Sequence, residues 1–129
     1  MAELIKTRIV VADDDVDILE LVIFKLTQAG FDTVGVTDGV AALKAIEAHP
    51  PRLAILDIMM PGMTGIEVLR EVRASETLTD LDVILLTARA SDADVDMGFA
   101  SGASDYVIKP FSPRELMQRV NAVLARSDR

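Results

Sequence analysis

The chain has 129 residues, of which 50% are hydrophobic and 4% aromatic, and its formal net charge is −8. This length fits one domain with an aliphatic core, and the lack of cysteine excludes disulfides, thiolate nucleophiles and cysteine-ligated metals. The acidic balance argues against direct binding to nucleic acid or to an anionic membrane, and one histidine cannot form a zinc site.

Short apolar runs alternate with helical spacing along the chain. The runs predict five strands, at Arg8–Ala12, Thr33–Val36, Leu53–Leu56, Val83–Leu86 and Tyr106–Ile108. The spacing predicts five helices: one with apolar Val16, Leu19, Ile23 and Leu26 that stops at Gly30, then Val40–Ala48, a third from Thr64 with Ile66, Leu69 and Val72, a fourth at Ser91–Ser101 with Val95 and Phe99 inward, and a fifth from Ser112 with Leu116, Val120, Val123 and Leu124. Such an alternation predicts a parallel sheet covered by helices on both faces.

Polar residues follow four of the predicted strands. Asp13 and Asp14 follow the first, Asp57 the third, Thr87 the fourth and Lys109 the fifth. The carboxyl ends of parallel strands meet at one edge of the sheet, where open α/β sheets bind their ligands. We therefore expect these five side chains to form one site.

The acidic run that follows the first strand needs an explanation. Two carboxylates about 4 Å apart repel by about 4 kcal/mol at an effective dielectric near 20. For Asp15 and Asp17, capping of the next helix is explanation enough. For Asp13 and Asp14, with Asp57 nearby, a bound divalent cation held by oxygen ligands, typically Mg²⁺, accounts for the crowding.

An EF-hand calcium loop does not fit the same acidic run. Asp13-x-Asp15-x-Asp17 resembles its start, but Ile18 replaces the turn glycine and Phe24 stands where a glutamate is needed.

The remaining strand-end residues suggest phosphoryl chemistry. Asp57 alone could be a ligand, a cap or a nucleophile; beside a metal it becomes a candidate for an aspartyl phosphate. The loop that contains Pro61-Gly62 would let the Met59 carbonyl serve as a further metal ligand. A hydroxyl and an ammonium suit two phosphoryl oxygens, although Thr87 could be a helix cap and Lys109 a snorkelling surface lysine.

The segments VVADDD, LDIMMPGMTG, LLTARA and DYVIKPF, in this order, resemble the receiver domain of two-component response regulators. The resemblance covers about Thr7 to Leu124, which leaves 125–129 as a tail or truncated linker of a single domain, 1–129. It implies a flavodoxin-like (βα)5 three-layer sandwich with strand order 2-1-3-4-5.

The resemblance also implies a function. Asp57 would take a phosphoryl group from a histidine kinase or a histidine phosphotransfer protein in the cytoplasm. Mg²⁺, or Mn²⁺ in its place, would be held by Asp13, Asp14, Asp57 and the Met59 carbonyl. The domain would be a signalling switch, rather than an enzyme, that promotes its own phosphorylation and dephosphorylation.

Further roles follow from the same resemblance for the other strand ends. Thr87 and Lys109 would contact the phosphoryl oxygens, and the Lys109–Pro110 bond would be cis. Thr87 and Tyr106 would form the switch, with Tyr106 choosing between inward and outward rotamers, and small Ala88 would leave room for the backbone to move. The output surface would be helix four, strand five and helix five.

Two residues, Met59 and Arg89, would border the site and tune the lifetime of the phosphate. Each lies two positions beyond a site residue, Asp57 and Thr87 respectively.

The last segment, KPFSPRELMQRVNAVLAR, looks like the final helix of receivers joined to winged-helix DNA-binding domains. In that subfamily phosphorylation drives a homodimer through charged residues of the output surface. Asp105, Glu115 and Arg119 match this pattern, as does Asp94, whereas Val95 replaces its usual basic residue. The chain would be either a stand-alone receiver or the front of a longer regulator, without direct contact to nucleic acid or membrane.

Three alternative classes of protein fit these residues less well. A haloacid-dehalogenase-type phosphatase needs D-x-D-x-[T/V], and Asp17 occupies the last position. A flavin module on the same fold needs a Ser, Thr and Gly-rich phosphate loop, where this chain has carboxylates. A degenerate receiver, acting only as an interaction module, would lack one of the five strand-end residues, and all five are present.

Overall fold

The computed structural model describes residues 6–88 and 92–127, with side chains for 6–88 and 96–126. Five strands alternate with five helices: β1 (Arg8–Ala12), α1 (Val16–Gln28), β2 (Asp32–Val36), α2 (Gly39–Ala48), β3 (Leu53–Asp57), α3 (Gly65–Ala74), β4 (Asp82–Thr87), α4 (Asp92–Ala100), β5 (Asp105–Ile108) and α5 (Pro113–Ser127). This order confirms the predicted (βα)5 architecture.

The five strands form one parallel sheet of order β2-β1-β3-β4-β5, as the resemblance implied. The helices lie in two layers, since the apolar side chains of α2 and α3 pack on one face of the sheet and those of α1 and α5 on the other. Every residue of β3 is buried, because this central strand is covered on both faces. The fold is therefore a three-layer sandwich.

The predicted element boundaries agree with the structure to within one or two residues at most ends. The main difference is that β3 and β4 continue through Asp57 and Thr87, which are the last residues of their strands rather than the first residues of loops. Their side chains are consequently fixed by the sheet, because a strand holds its backbone in a ladder of hydrogen bonds.

The helix ends follow the predicted capping chemistry. The Asp15 carboxylate accepts hydrogen bonds from the backbone N–H groups of Asp17 and Ile18, and Thr64 and Glu67 form a complete capping box. Ser112 Oγ accepts from the N–H of Glu115 at 3.0 Å. Across the described residues, no helix has the length and apolar character that a membrane span requires.

One prediction of an inward-facing side chain is wrong, since Phe99 is 47% exposed. In α1, Val16 is 51% exposed; it is the first residue of the helix, and the buried residues start at Leu19. Phe99 lies beside the sheet edge and covers Tyr106 rather than the core. Val95 was predicted to face inward as well, and its side chain lies outside the described residues.

Candidate functional site

The strand-end residues meet at the carboxyl edge of the sheet, as predicted. Asp13, Asp14 and Asp57 each present a carboxylate oxygen, and these oxygens lie within 4.8 Å of one another. Lys109, which directly follows β5, places its ammonium nitrogen 2.8 Å from Asp13 Oδ2 and 3.3 Å from Asp57 Oδ2. Thr87 ends β4, next to β3 in the sheet. Three carboxylates thus cluster at this edge, and two of them pair with one ammonium group.

Two of these carboxylates are withdrawn from water. Asp13 is fully buried and Asp57 is 5% exposed, as is Thr87, whereas Asp14 is exposed. Asp13 Oδ1 accepts a hydrogen bond from the N–H of Asp15 at 2.9 Å, which holds the side chain at the start of the loop. Buried carboxylates without full pairing are costly, so this edge is electrostatically unfavourable in the absence of further cations.

Asp13 Oδ2 is the most enclosed oxygen of the cluster. It is completely buried, and the Lys109 ammonium at 2.8 Å is the one polar partner that the described residues give it. An oxygen in this position can accept further positive charge.

Asp57 has a strongly altered acidity. Burial raises its pKa, the negative charge of Asp13 raises it further, and the Lys109 ammonium lowers it; a hydrogen bond with Asp14 adds to the rise, so that the pKa of Asp57 lies at about 7. Near neutral pH, a proton therefore competes with a metal ion for this carboxylate.

Lys109 shifts in the opposite sense to what burial alone would cause. Burial would lower the pKa of its ammonium, but the hydrogen bond with Asp13 and the negative charges of Asp57 and Asp13 outweigh burial and raise the pKa above its ordinary value. The side chain therefore stays protonated and carries a positive charge into the acidic cluster.

The loop after β3 is packed tightly against the site. The Met59 N–H donates to Asp57 Oδ1 at 3.3 Å, and the Met59 side chain is 70% exposed at the rim. The N–H of Gly65 donates to the Ile58 carbonyl at 3.0 Å. A Cβ atom on Gly65 would overlap the backbone carbonyl of Asp57, so only glycine lets α3 begin here. The sequence reasoning missed Gly65; a glycine directly after a Thr64 cap is the signal.

The predicted switch residues lie around one small cavity of about 10 Å³, which is room for a single water molecule at most. Its lining joins Thr87 to the ring of Tyr106, and also includes Ile58, Leu85, Gly98, Phe99 and Ala103. Phe99 meets Tyr106 edge to face, with ring centroids 5.3 Å apart. Thr87 and Tyr106, the two predicted switch residues, therefore line the same cavity.

The remaining predictions near the site concern Ala88, the Lys109–Pro110 bond and Arg89. Ala88 is exposed directly after β4, and the Lys109–Pro110 peptide bond is cis. Arg89 lies outside the described residues.

The expected output surface carries charge and exposed apolar side chains. Arg119 Nη1 on α5 lies 3.3 Å from Asp105 Oδ2 on β5, within the same chain. Met97 and Ile108 are 46% and 38% exposed. The side chain of Asp94 is not among those described.

The sequence comparison now settles the family. The family model for the response regulator receiver domain matches residues 9–121. The chain belongs to this family. Membership agrees with the strand order and with the three clustered carboxylates.

Two regulators with known names are similar to this receiver domain. The DNA-binding response regulator MtrA of Mycobacterium tuberculosis is 44% identical over 123 residues, which cover 95% of this chain and 53% of MtrA. The phosphate regulon transcriptional regulatory protein PhoB of Escherichia coli is 40% identical over 119 residues, which cover 92% of this chain and 52% of PhoB. The chain thus spans about half the length of the curated relatives it matches.

A solved structure agrees with the receiver fold. The crystal structure of a putative response regulator from Chloroflexus aurantiacus superposes with a TM-score of 0.88 at 32% identity, and covers 94% of this chain and 99% of its own.

The donor set of this receiver fits a hard divalent cation. All three clustered side chains are carboxylates, which Mg²⁺ prefers. The buried Asp13 Oδ2 has Lys109 as its one polar partner among the described residues. Burial and the charge of Asp13 raise the pKa of Asp57, and added positive charge would oppose both effects. The acidic cluster can therefore hold a metal ion.

Proposed function

We propose that this receiver domain is a phosphorylation-activated switch in which Asp57 accepts the phosphoryl group. The observation that carries the proposal is the placement of the Asp57 carboxylate. It is almost fully buried at the end of β3, 3.3 Å from the Lys109 ammonium and clustered with two further carboxylates. A purely structural aspartate would gain nothing from such crowding.

The proposed donor is the phosphohistidine of a histidine kinase or of a histidine phosphotransfer protein. An Asp57 oxygen forms the new O–P bond while the N–P bond of the donor breaks, and the electron pair of that bond stays on the imidazole nitrogen. The ionised form of Asp57 is the nucleophile. Its pKa lies at about 7 in the metal-free chain, and a bound cation would favour the ionised, reactive form.

The basic and hydroxyl side chains stabilise the phosphoryl oxygens. Lys109 remains charged because its pKa is raised, and it already lies within 3.3 Å of Asp57. Thr87 ends β4, which lies between β3 and β5, and would supply a hydroxyl at the same edge of the sheet. Charge that develops on a transferring phosphoryl group is stabilised by such preorganised donors.

Asp13, Asp14, Asp57 and the Met59 carbonyl would hold Mg²⁺, or Mn²⁺ in its place. When bound, the ion supplies positive charge that offsets the three carboxylates and the incoming phosphoryl oxygens. With these groups the domain promotes its own phosphorylation and dephosphorylation. Exposed Met59 and, by resemblance, Arg89 border the path of the attacking water and set the lifetime of the phosphate.

The proposed output is a change in the α4, β5 and α5 surface. Thr87 and the Tyr106 ring line the same small cavity, so this cavity would enlarge when Thr87 is drawn toward the phosphoryl group, and the ring would then turn inward. In the cytoplasm this surface would form a phosphorylation-dependent homodimer, or control an attached output domain. The relatives support this, since MtrA is DNA-binding and about twice as long as the aligned segment.

The test is the intact mass of the protein after incubation with acetyl phosphate and Mg²⁺. One phosphoryl group should appear on the wild type, and none on Asp57→Asn or on wild type with a chelator. Asp15→Asn is the matched control, because Asp15 is an acidic helix cap one residue from the cluster. Addition to Asp57→Asn, or none to wild type even with a panel of histidine kinases, would overturn the proposal.

A further inference from the structure

Arg73, on α3, binds the opposite end of the sheet through its guanidinium. Its Nε and Nη2 donate to the Gly102 carbonyl at 3.0 and 2.8 Å, and its Nη1 donates to the carbonyls of Thr79, at 3.0 Å, and Leu81. Burial lowers the pKa of the guanidinium, although the nearby charges of Asp82 and Asp80 oppose this; an arginine stays protonated nonetheless. One side chain thus joins α3 to the segments that precede β4 and β5.

The segment that Arg73 holds is the C-terminal end of α4. The N–H groups of Ser101, Gly102 and Ala103 donate back to the carbonyls of Met97, Phe99 and Gly98, which closes the helix. Gly102 has φ +97, and a Cβ atom there would lie 2.9 Å from Arg73 Nε. The conformation and the close approach both require glycine.

The described part of α4 that precedes this end is lightly packed. At positions 96–100, Gly98 alone is buried, and it has no side chain with which to contact Leu85. By contrast, α3 buries five of its ten residues. Positions 96–100 therefore make little apolar contact, and a segment held in this way can be displaced at low cost.

We propose that Arg73 fixes the C-terminal end of α4, so that α4 changes position by pivoting about Gly102 rather than by sliding along the sheet. The contact of Phe99 with Tyr106 then follows the tilt, because Phe99 lies on the moving body of the helix. The event that starts this movement, phosphorylation of Asp57, rests on the switch function proposed above. The anchoring by Arg73 does not depend on that function.

The geometry of a pivot gives a quantitative test. With a rise of about 1.5 Å per residue, Asp96 lies about 9 Å and Ala100 about 3 Å from Gly102 along the helix. A pivot therefore moves position 96 about three times as far as position 100, whereas a slide moves both equally.

The lack of cysteine makes the measurement clean, since introduced cysteines are the only labelling sites. One spin label goes on exposed Lys44 of α2 as Lys44→Cys, and a second on Asp96→Cys or Ala100→Cys, all of which are exposed positions. The distance between the two spin labels is measured by pulsed electron–electron double resonance, before and after addition of Mg²⁺ and beryllofluoride, a phosphoryl mimic. We expect a change at position 96 about three times that at position 100; equal changes, or no change in loaded protein, would overturn the proposal.

Arg73→Met tests the anchor, with Arg70→Met as its matched control. Arg70 lies one turn earlier on the same helix and reaches the same segment only through the Ser101 hydroxyl, at 3.4 Å. Arg73→Met should bring the two distance changes close to equality, and Arg70→Met should preserve their threefold ratio. If Arg73→Met keeps the ratio, the anchor lies elsewhere and the proposal fails.

Amide hydrogen exchange separates this proposal from the switch function, because it needs no phosphorylation. In metal-free protein, Arg73→Met should raise the exchange rates at Gly102 and Ala103 by about tenfold or more relative to those in β3. A uniform rise across the chain would show that Arg73 only stabilises the fold, and would overturn the proposal even if the mass experiment succeeds. A failed mass experiment with a local rise would reject the switch alone. If Arg73→Met does not fold, Arg73→Lys, which loses the planar fork, is measured the same way.

Discussion

The two ends of the sheet treat their polar groups in opposite ways. At the carboxyl edge, three carboxylates cluster around a site with one lysine, whose ammonium contacts Asp13 and Asp57, so that negative charge is in excess. At the amino edge, the Arg73 guanidinium makes four hydrogen bonds to three backbone carbonyls. The carboxyl edge therefore has negative charge that a further cation would neutralise. At the amino edge the positive charge already has its hydrogen-bond partners.

This difference separates binding from stability. Groups that destabilise the free domain contribute the most when a cation or phosphoryl group binds, because the binding free energy is the difference between the free and the bound state. Groups that are already satisfied contribute in both states and hold the fold. Substitutions at the two ends should therefore change stability in opposite directions.

The largest effect is expected at the amino edge. Arg73→Met should lower the free energy of unfolding by about 3 kcal/mol, because it leaves the carbonyls of Gly102 and Leu81 without this donor at roughly 1–3 kcal/mol each. Urea unfolding followed by circular dichroism measures it. Arg70→Met should cost under about 0.5 kcal/mol as an exposed control. A loss no larger than that of the control would remove the contrast between the two ends.

The opposite sign is expected at the carboxyl edge. In metal-free protein at pH 8, Asp57→Asn should raise the free energy of unfolding by about 2 kcal/mol. Each unit of pKa shift represents about 1.4 kcal/mol, and water at the open edge screens part of the total. Urea unfolding at a series of pH values provides the measurement.

The pH dependence has a definite sign. The pKa of Asp57 is about 7 in the folded chain and about 3.9 in the unfolded chain, so between these values the folded state binds more protons. Wild-type stability therefore falls as pH rises from about 4 to about 7, relative to Asp57→Asn, and the difference is absent below about pH 4. Saturating Mg²⁺ should shrink or reverse it, since the ion binds the folded wild type. A difference independent of pH would contradict this explanation.

A smaller loss is expected from the glycine that Arg73 contacts. Gly102→Ala should lower the free energy of unfolding by roughly 1–2 kcal/mol, because an alanine at φ +97 is strained. Thermal unfolding compares it with Ser101→Ala, a neighbour that should change stability by under about 0.5 kcal/mol. If both variants melt together, the strained turn does not contribute to the anchor.

The smallest effect is expected away from both ends. Arg119 and Asp105 form an ion pair whose arginine side chain is 50% exposed, and exposed pairs contribute little. Arg119→Gln should change the free energy of unfolding by under about 0.5 kcal/mol, measured with and without 1 M salt. A loss above about 1 kcal/mol would place this surface with the amino edge as a stabilising element.

The carboxyl edge could be predicted from the sequence because its residues follow strands in the chain. Asp13, Asp57, Thr87 and Lys109 each come at the end of an apolar run, and parallel topology brings such positions together. The helix caps at Asp15 and Thr64 were predictable for a more local reason, because their hydrogen-bond partners lie within three residues along the chain.

The amino edge could not be predicted in this way. Arg73 bonds to backbone carbonyls, and a carbonyl is present at every residue, so no pattern of residue types marks the partner. Phe99 shows a related limit of prediction. Its position in the helix predicted a buried side chain, but in the structure the side chain is 47% exposed and lies beside Tyr106. Periodicity identifies which side chains share a face of a helix, and tertiary packing decides how deeply that face is buried.

The glycine at the start of α3 also restricts how the chain can vary in evolution. The hydrogen bond from Gly65 to Ile58 closes the loop that begins at Asp57, and the helix start rests on the Asp57 backbone. An inserted or deleted residue between them would change the direction of the Asp57 carboxylate, the proposed phosphoacceptor, whereas surface loops elsewhere absorb such changes readily. The spacing from Asp57 to Gly65 should therefore tolerate neither insertion nor deletion, even where the amino acids between them are free to differ.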